Sequence, residues 1–251
     1  MSEFLKVATE AARNAEKVII NYFNQPIGFE MKSDMTPVTI ADKESEKAII
    51  ETIQKSFPDH SFLGEESGSS GDSEYKWIID PIDGTKSFTR KLPFFNTEIA
   101  LMKDNEIILG ISNAPILREI MYAEKGKGTF INGQKVHMGN TNKLNMATVF
   151  HGRLMGFKNK GSLPNITELL LKTYDHKCIG DCNPYHFVAS GRADAMIEAK
   201  VKIWDIAAVS ICMTEAGGVV SDMKGDPINL NTESIISSNK ELYDKILAYF
   251  K

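Results

Sequence analysis

Nine consecutive residues constrain this chain more than any other segment: Trp77-Ile78-Ile79-Asp80-Pro81-Ile82-Asp83-Gly84-Thr85. The apolar start reads as a strand. At Asp80 it meets Pro81, which presets a turn, and Gly84, which tolerates unusual backbone angles. Such a turn can bring the carboxylates of Asp80 and Asp83 toward one point. Two carboxylates that close repel each other unless a cation or a proton lies between them. Hard oxygen ligands without His or Cys favour Mg²⁺, Mn²⁺ or Ca²⁺ over zinc. The Gly84 and Thr85 amides precede a short helical stretch, and N–H groups at a helix start suit a phosphate. The same pattern also suits an Asp-Pro turn that merely ends a strand.

The 251 residues suffice for one large domain or two small units sharing a core. Phe4, Ala8, Ala11, Ala12, Ala15, Val18, Ile19 and Tyr22 recur at three- and four-residue steps and predict a helix, ended by Pro26 and Gly28. A polar loop over 32–37 follows. Thr39 and Asp42 have the spacing of a capping box and open a second helix with Ala41, Ser45, Ala48, Ile49 and Ile53 inward. Strands are expected at 97–102, 107–111 and 120–123. After about residue 140 the pattern alternates, with helices at 165–173, 184–190, 204–215 and 240–250. Strands there are expected at 193–197, 218–221 and 234–237. The fold class is α/β, with an N-terminal α+β half (1–140) and a C-terminal α/β half (141–251).

Apolar residues make up 42% and charged residues 25%, the profile of a soluble globular protein. A net charge of −4 gives no electrostatic reason to expect nucleic acid. It leaves room for an anionic substrate, because a bound metal reverses the local field. The N-terminus lacks the apolar core of a signal peptide. No apolar run approaches the ~20 residues that span a bilayer, so no membrane partner is expected. Three cysteines, Cys178, Cys182 and Cys212, are too sparse for a disulfide scaffold and lack a second pair for zinc. A cytoplasmic protein with reduced thiols is expected.

Two further acidic segments matter. Gly64-Glu65-Glu66-Ser67 follows an apolar pair, and Trp204-Asp205-Ile206-Ala207-Ala208 opens an apolar helix. Asp205 suits an N-cap, or a ligand reaching the same cation from the other half. Taken together, Gly64-Glu65-Glu66, the segment 77–85, and Trp204-Asp205-Ile206-Ala207-Ala208 with Glu215-Ala216-Gly217-Gly218 resemble the inositol monophosphatase family. Order and spacing match from roughly residue 4 to residue 250.

The resemblance implies a layered αβαβα fold and a magnesium-dependent phosphatase, commonly a homodimer. It implies Glu65, Asp80, Asp83, Asp205 and the carbonyl of Ile82 as metal ligands for two or three Mg²⁺ ions, with Mn²⁺ as another option. Glu65 and Thr85 would position and activate water, and Asp42 would orient the Thr85 hydroxyl. Gly84 and Thr85 would hold phosphate, with Lys32 on a nearby loop. Water would then attack in line, without a covalent intermediate. Haloacid-dehalogenase phosphatases use Asp-x-Asp-Gly-Thr with a nucleophilic first Asp. Here Pro81 occupies that position, which removes the nucleophile.

The substrate is a small phosphate ester. The usual small-residue run of the family reads Gly180-Asp181-Cys182-Asn183 here, and Glu198 stands six residues before Trp204. Asp181 and Glu198 would favour a cationic leaving group. Asp181 also suits a helix cap near Pro184, and Glu198 suits pairing with Lys200 or Lys202. The Gly-Asp-Cys pattern, the stretch 32–42 and Gly84-Thr85-Lys86-Ser87-Phe88 are similar to the histidinol-phosphate phosphatase branch. Histidinol phosphate therefore ranks ahead of inositol 1-phosphate. Fructose 1,6-bisphosphate and 3′-phosphoadenosine 5′-phosphate rank lower. A metabolite-binding regulator that kept the fold is the non-enzyme alternative; it predicts a lost carboxylate or threonine, and none is lost.

Overall fold

The computed structural model describes residues 1–26, 28–31 and 37–251. Lys32 lies outside these residues, as does most of the polar loop around it. In chain order the elements are α1 (Glu3–Phe23), a small hairpin of β1 (Glu30–Met31) and β2 (Pro37–Val38), and α2 (Ile40–Ser56). Then come β3 (Ser61–Gly64), β4 (Gly68–Ser70), β5 (Tyr75–Asp83), α3 (Thr85–Thr89), β6 (Asn96–Lys103), β7 (Glu106–Ala114), β8 (Glu119–Glu124), β9 (Gly128–Ile131) and β10 (Gln134–Val136). The remainder holds β11 (Thr148–His151), α4 (Leu154–Asn159), α5 (Leu163–Leu170), β12 (Asp175–Lys177), α6 (Asn183–Ala189), β13 (Ala195–Glu198), α7 (Ile203–Glu215), β14 (Gly218–Ser221), β15 (Ile235–Asn239) and α8 (Lys240–Leu247).

The first half pairs into an eight-stranded sheet of order β10-β9-β8-β7-β6-β5-β3-β4. All its pairs are antiparallel except β3 with β5. The second half forms a five-stranded sheet of order β12-β11-β13-β15-β14, parallel around β11 and antiparallel beyond β13. The connection between the sheets, after β10 and before β11, contains residue 140.

Strand alternation builds the layers, because successive side chains point to opposite faces. Trp77, Ile79, Ile99 and Leu101 face α1 and α2, whose stripe of Ala8, Ala11, Ala12 and Ala15 is buried against them. Ile78, Ala100 and Met102 face the other way, toward α6 and α7. Phe150, Met196 and Ile235 of the second sheet close that middle layer from below. Val149, Ala195, Ile197 and Ile236 point outward to α4, α5 and α8. Five layers result: helices, sheet, helices, sheet, helices. Each large apolar side chain buried in them contributes about 1.5–3 kcal/mol.

The middle layer positions the site. Gly110 on β7 lets α7 approach closely, since a Cβ there would lie 2.3 Å from the Ala208 carbonyl oxygen. That contact carries the start of α7, and so Asp205, up to the end of β5. β5 itself differs from the sequence expectation. It does not stop at Asp80 but continues to Asp83, with a register shift against β6 between the two aspartates. Such a bulge accommodates Pro81, which has no N–H for the ladder, and re-aims the carboxylates. α4, the hairpin of β9 and β10, and the short β11 and β12 were absent from the sequence expectations, being too short or too polar to show a period.

Candidate active site

Asp80, Asp83 and Asp205 meet where β5 ends and α7 begins. One carboxylate oxygen from each lies within 4.8 Å of the others. Asp205 is not an N-cap. It is the third residue of α7, and its Oδ2 accepts from the Lys202 N–H at 2.7 Å. Glu65 follows β3 directly, and its N–H donates to the Ile79 carbonyl at 3.0 Å. Its charge acts directly on Asp80. The four acids thus come together from three chain segments.

Burial and mutual repulsion push the three aspartates up. Asp80 stands well above the usual carboxylate range, chiefly through burial, then through Glu65, Asp83 and Asp205. Asp83 does too, through burial and then Asp181 and Asp205. Burial, partly opposed by the Lys202 N–H, raises Asp205 to about 7. Among the described residues, Asp83 Oδ2 is buried with no hydrogen-bond partner. An orphaned carboxylate oxygen among like charges is costly unless a cation or proton meets it. An all-oxygen set with such an orphan fits a hard divalent cation.

Beside the cluster, Ile82 donates its N–H to Asp80 Oδ1 at 3.0 Å, which holds that carboxylate in place. The Thr85 hydroxyl lies 3.0 Å from the Ile82 carbonyl and 3.1 Å from Asp42 Oδ1. Asp42 is fully buried and has two tasks. Its Oδ2 closes the expected capping box by accepting from the Thr39 N–H at 2.7 Å, and its Oδ1 faces Thr85. Gly84 takes φ +92° at the N-cap of α3. A Cβ there would sit 2.5 Å from the Phe94 carbonyl oxygen and 3.2 Å from Asp181 Oδ2, so this turn excludes a side chain.

Asp181 therefore also borders the cluster. It does not cap α6; Cys182 is the N-cap, without a side-chain capping bond, and Asp181 adopts φ +63°. Burial raises it, while the charges of Arg153 and Lys86 pull it down. Glu198 faces Asp181 and Tyr185 rather than Lys200 or Lys202. Its Oε1 accepts from the Asp181 N–H at 3.4 Å and its Oε2 from the Tyr185 hydroxyl at 3.3 Å. Burial holds Glu198 well above its usual value, and Asp181 adds to this.

The sequence reading passed over two groups. Glu46, buried on α2, accepts from the N–H of Glu66 at 3.0 Å and of Ser67 at 2.8 Å, anchoring the turn that carries Glu65. Glu98, the ladder partner of Asp80, is fully buried and raised by burial. Its signal was present: Glu98 shares a strand face with Ala100 and Met102, where an apolar residue is expected.

Similarity to other proteins agrees with this geometry. The model of the inositol monophosphatase family matches residues 1–251. A histidinol-phosphatase of Streptomyces coelicolor is 32% identical, covering 98% of this chain and 96% of that protein. A Nus factor SuhB of Pasteurella multocida is 33% identical, covering 98% and 95%. The crystal structure of the extragenic suppressor protein suhB of Bartonella henselae superposes with a TM-score of 0.93 at 29% identity, covering 100% and 99%. The chain belongs to the inositol monophosphatase family, whose members are phosphoric monoester hydrolases.

Proposed function

We propose that the protein is a Mg²⁺-dependent phosphatase of a small, amine-bearing phosphate monoester, with histidinol phosphate as the preferred substrate. The observation that carries the metal-dependent chemistry is the cluster of Asp80, Asp83 and Asp205 with its orphaned oxygen. With Glu65 and the Ile82 carbonyl, these residues would hold two or three divalent ions. A bound cation supplies charge for the phosphate and lowers the pKa of a coordinated water.

The chain's own groups do the rest. Thr85 has one hydroxyl proton. Giving it to Asp42 leaves the Ile82 carbonyl free as a ligand and leaves the Thr85 oxygen to accept from water. Glu65, adjacent to Asp80, accepts the proton from the attacking water. The Gly84 and Thr85 amides receive phosphate oxygens, in the turn where no side chain fits. Attack by water needs no covalent enzyme intermediate.

Asp181 and Glu198 support the amine preference. Both are half-buried acids at the edge of the acidic cluster, and a cationic leaving group would offset the desolvation that holds Glu198 up. The S. coelicolor histidinol-phosphatase is consistent with this choice. The test compares kcat/KM for histidinol phosphate and inositol 1-phosphate with Mg²⁺ present. Faster hydrolysis of histidinol phosphate is expected; much faster hydrolysis of inositol 1-phosphate would replace it as the substrate.

A further inference from the structure

A chain of polar side chains crosses the middle layer beside the metal cluster. Asn183 and His186 lie one helical turn apart on α6, both fully buried. Asn183 Nδ2 donates to Asn96 Oδ1 at 2.6 Å, and Asn96 Nδ2 donates to Ser112 Oγ at 2.9 Å. Ser112 Oγ lies 2.8 Å from His186 Nε2. His186 Nδ1 lies 3.3 Å from Glu119 Oε2, and Arg192 grips Glu119 through two bonds of 2.8 Å. Burial lowers His186, favouring a neutral ring with one N–H. The ionised Glu119 carboxylate only accepts, so Nδ1 carries that proton; Nε2 accepts from Asn96 Nδ2 at 3.4 Å, while the Ser112 hydroxyl donates its one proton to Glu98 Oε1 at 2.6 Å.

Apolar contacts are non-directional, whereas these bonds each have a fixed geometry. Asn96 is also the ladder partner of Asp83, so the chain ties α6 to the strand carrying the cluster. Just before α6 stand Asp181, held in the left-handed region, and Cys182, whose thiol donates to the Asp205 carbonyl at 3.0 Å.

We infer that Asn183 and His186 are positioning residues that set the register of α6 against the eight-stranded sheet, and so hold Asp181 on the leaving-group side of the site. The consequence for selectivity rests on the proposed amine recognition by Asp181; the consequence for register does not. Losing the bonds lets the start of α6 shift, and shifts on the order of 1 Å suffice to spoil a recognition geometry.

The experiment uses His186→Ala, with His186→Gln as the conservative variant that keeps an acceptor and a donor. N-ethylmaleimide labelling of the three cysteines is followed by mass spectrometry, alongside kcat and KM for histidinol phosphate and p-nitrophenyl phosphate. In His186→Ala, Cys182 labelling is expected to rise about tenfold, with exposed Cys178 and buried Cys212 unchanged. KM for histidinol phosphate is expected to rise about tenfold while p-nitrophenyl phosphate turnover stays within about twofold. His186→Gln should recover part of both effects. Should His186→Ala fail to fold, Glu119→Gln, at the outer end of the chain, should give the same pattern in weaker form. Unchanged Cys182 labelling, or an equal rise at Cys212, overturns the positioning role. A wild-type enzyme with no preference for histidinol phosphate overturns the amine reading alone, and the labelling still decides the register.

Discussion

Two groups of acids lie side by side, and they are compensated differently. Asp80, Asp83 and Asp205 crowd within 4.8 Å, and Asp83 Oδ2 has no hydrogen-bond partner among the described residues. Asp181 and Glu198 are only half-buried, and Glu198 accepts from a backbone N–H and a tyrosine hydroxyl, while Arg153 and Lys86 act on Asp181. On the proposed function, the first group takes a cation from outside the chain. The second is partly satisfied within it and can be selective about what it takes. A divalent ion suits the one, and a monovalent amine suits the other.

The largest effect should come from Asp205→Asn. The amide keeps an oxygen for the Lys202 N–H but removes a ligand charge worth several kcal/mol to the reaction. Phosphate release with saturating Mg²⁺ is expected to fall about a thousandfold. Circular dichroism should show an unchanged fold. Near-wild-type turnover would remove Asp205 from the metal set.

Thr85→Ala comes next. It removes the hydroxyl between Asp42 and the Ile82 carbonyl but no cluster charge, so kcat is expected to drop about a hundredfold with Mg²⁺ binding by calorimetry unchanged. Equal losses of kcat and Mg²⁺ affinity would make Thr85 part of the metal shell instead.

Glu198→Gln sharpens the contrast. A hydrogen bond to a charged group contributes about 1.5–3 kcal/mol, so kcat/KM for histidinol phosphate should fall about tenfold to a hundredfold. Hydrolysis of p-nitrophenyl phosphate should be unaffected. If both esters suffer alike, Glu198 belongs with the first group of acids.

The smallest effect concerns stability. Asp205 titrates at about 7 in the fold against 3.8 ordinarily, so the folded state binds its proton more tightly. Its contribution is complete below about pH 4 and is lost as pH rises through about 7. Metal-free protein should therefore melt about 5 °C lower at pH 8 than at pH 5, and Mg²⁺ at pH 8 should restore most of the difference. A metal-free Tm that is flat or rises over this range would show that the cluster's repulsion is relieved by some other group.

Much of this contrast was legible in the sequence, for physical reasons that differ by residue. Asp80 to Thr85 stood out because an apolar run, a proline and a glycine leave few conformations open. Asp42 was readable twice, by its capping-box spacing from Thr39 and by resemblance, and the structure joins both in one carboxylate. The place of Asp205 in its helix stayed open in the sequence, since an acid at the N-cap or at the third helical position looks the same there. The bulge through Pro81 was hidden, because a register shift is a relation between two strands. Glu98 was readable as an acid on an apolar strand face, whereas Ser112 and His186 were missed for the same reason as the bulge. Each looks unremarkable alone, and only the packing of α6 on β6 and β7 makes them neighbours.

The most direct test of the metal-dependent phosphatase account is phosphate release from histidinol phosphate by chelator-treated protein, titrated with Mg²⁺. The account predicts no turnover after chelation and saturable recovery as Mg²⁺ is added, with no such recovery in Asp205→Asn. Turnover that survives chelation, or that Asp205→Asn recovers equally well, would contradict it.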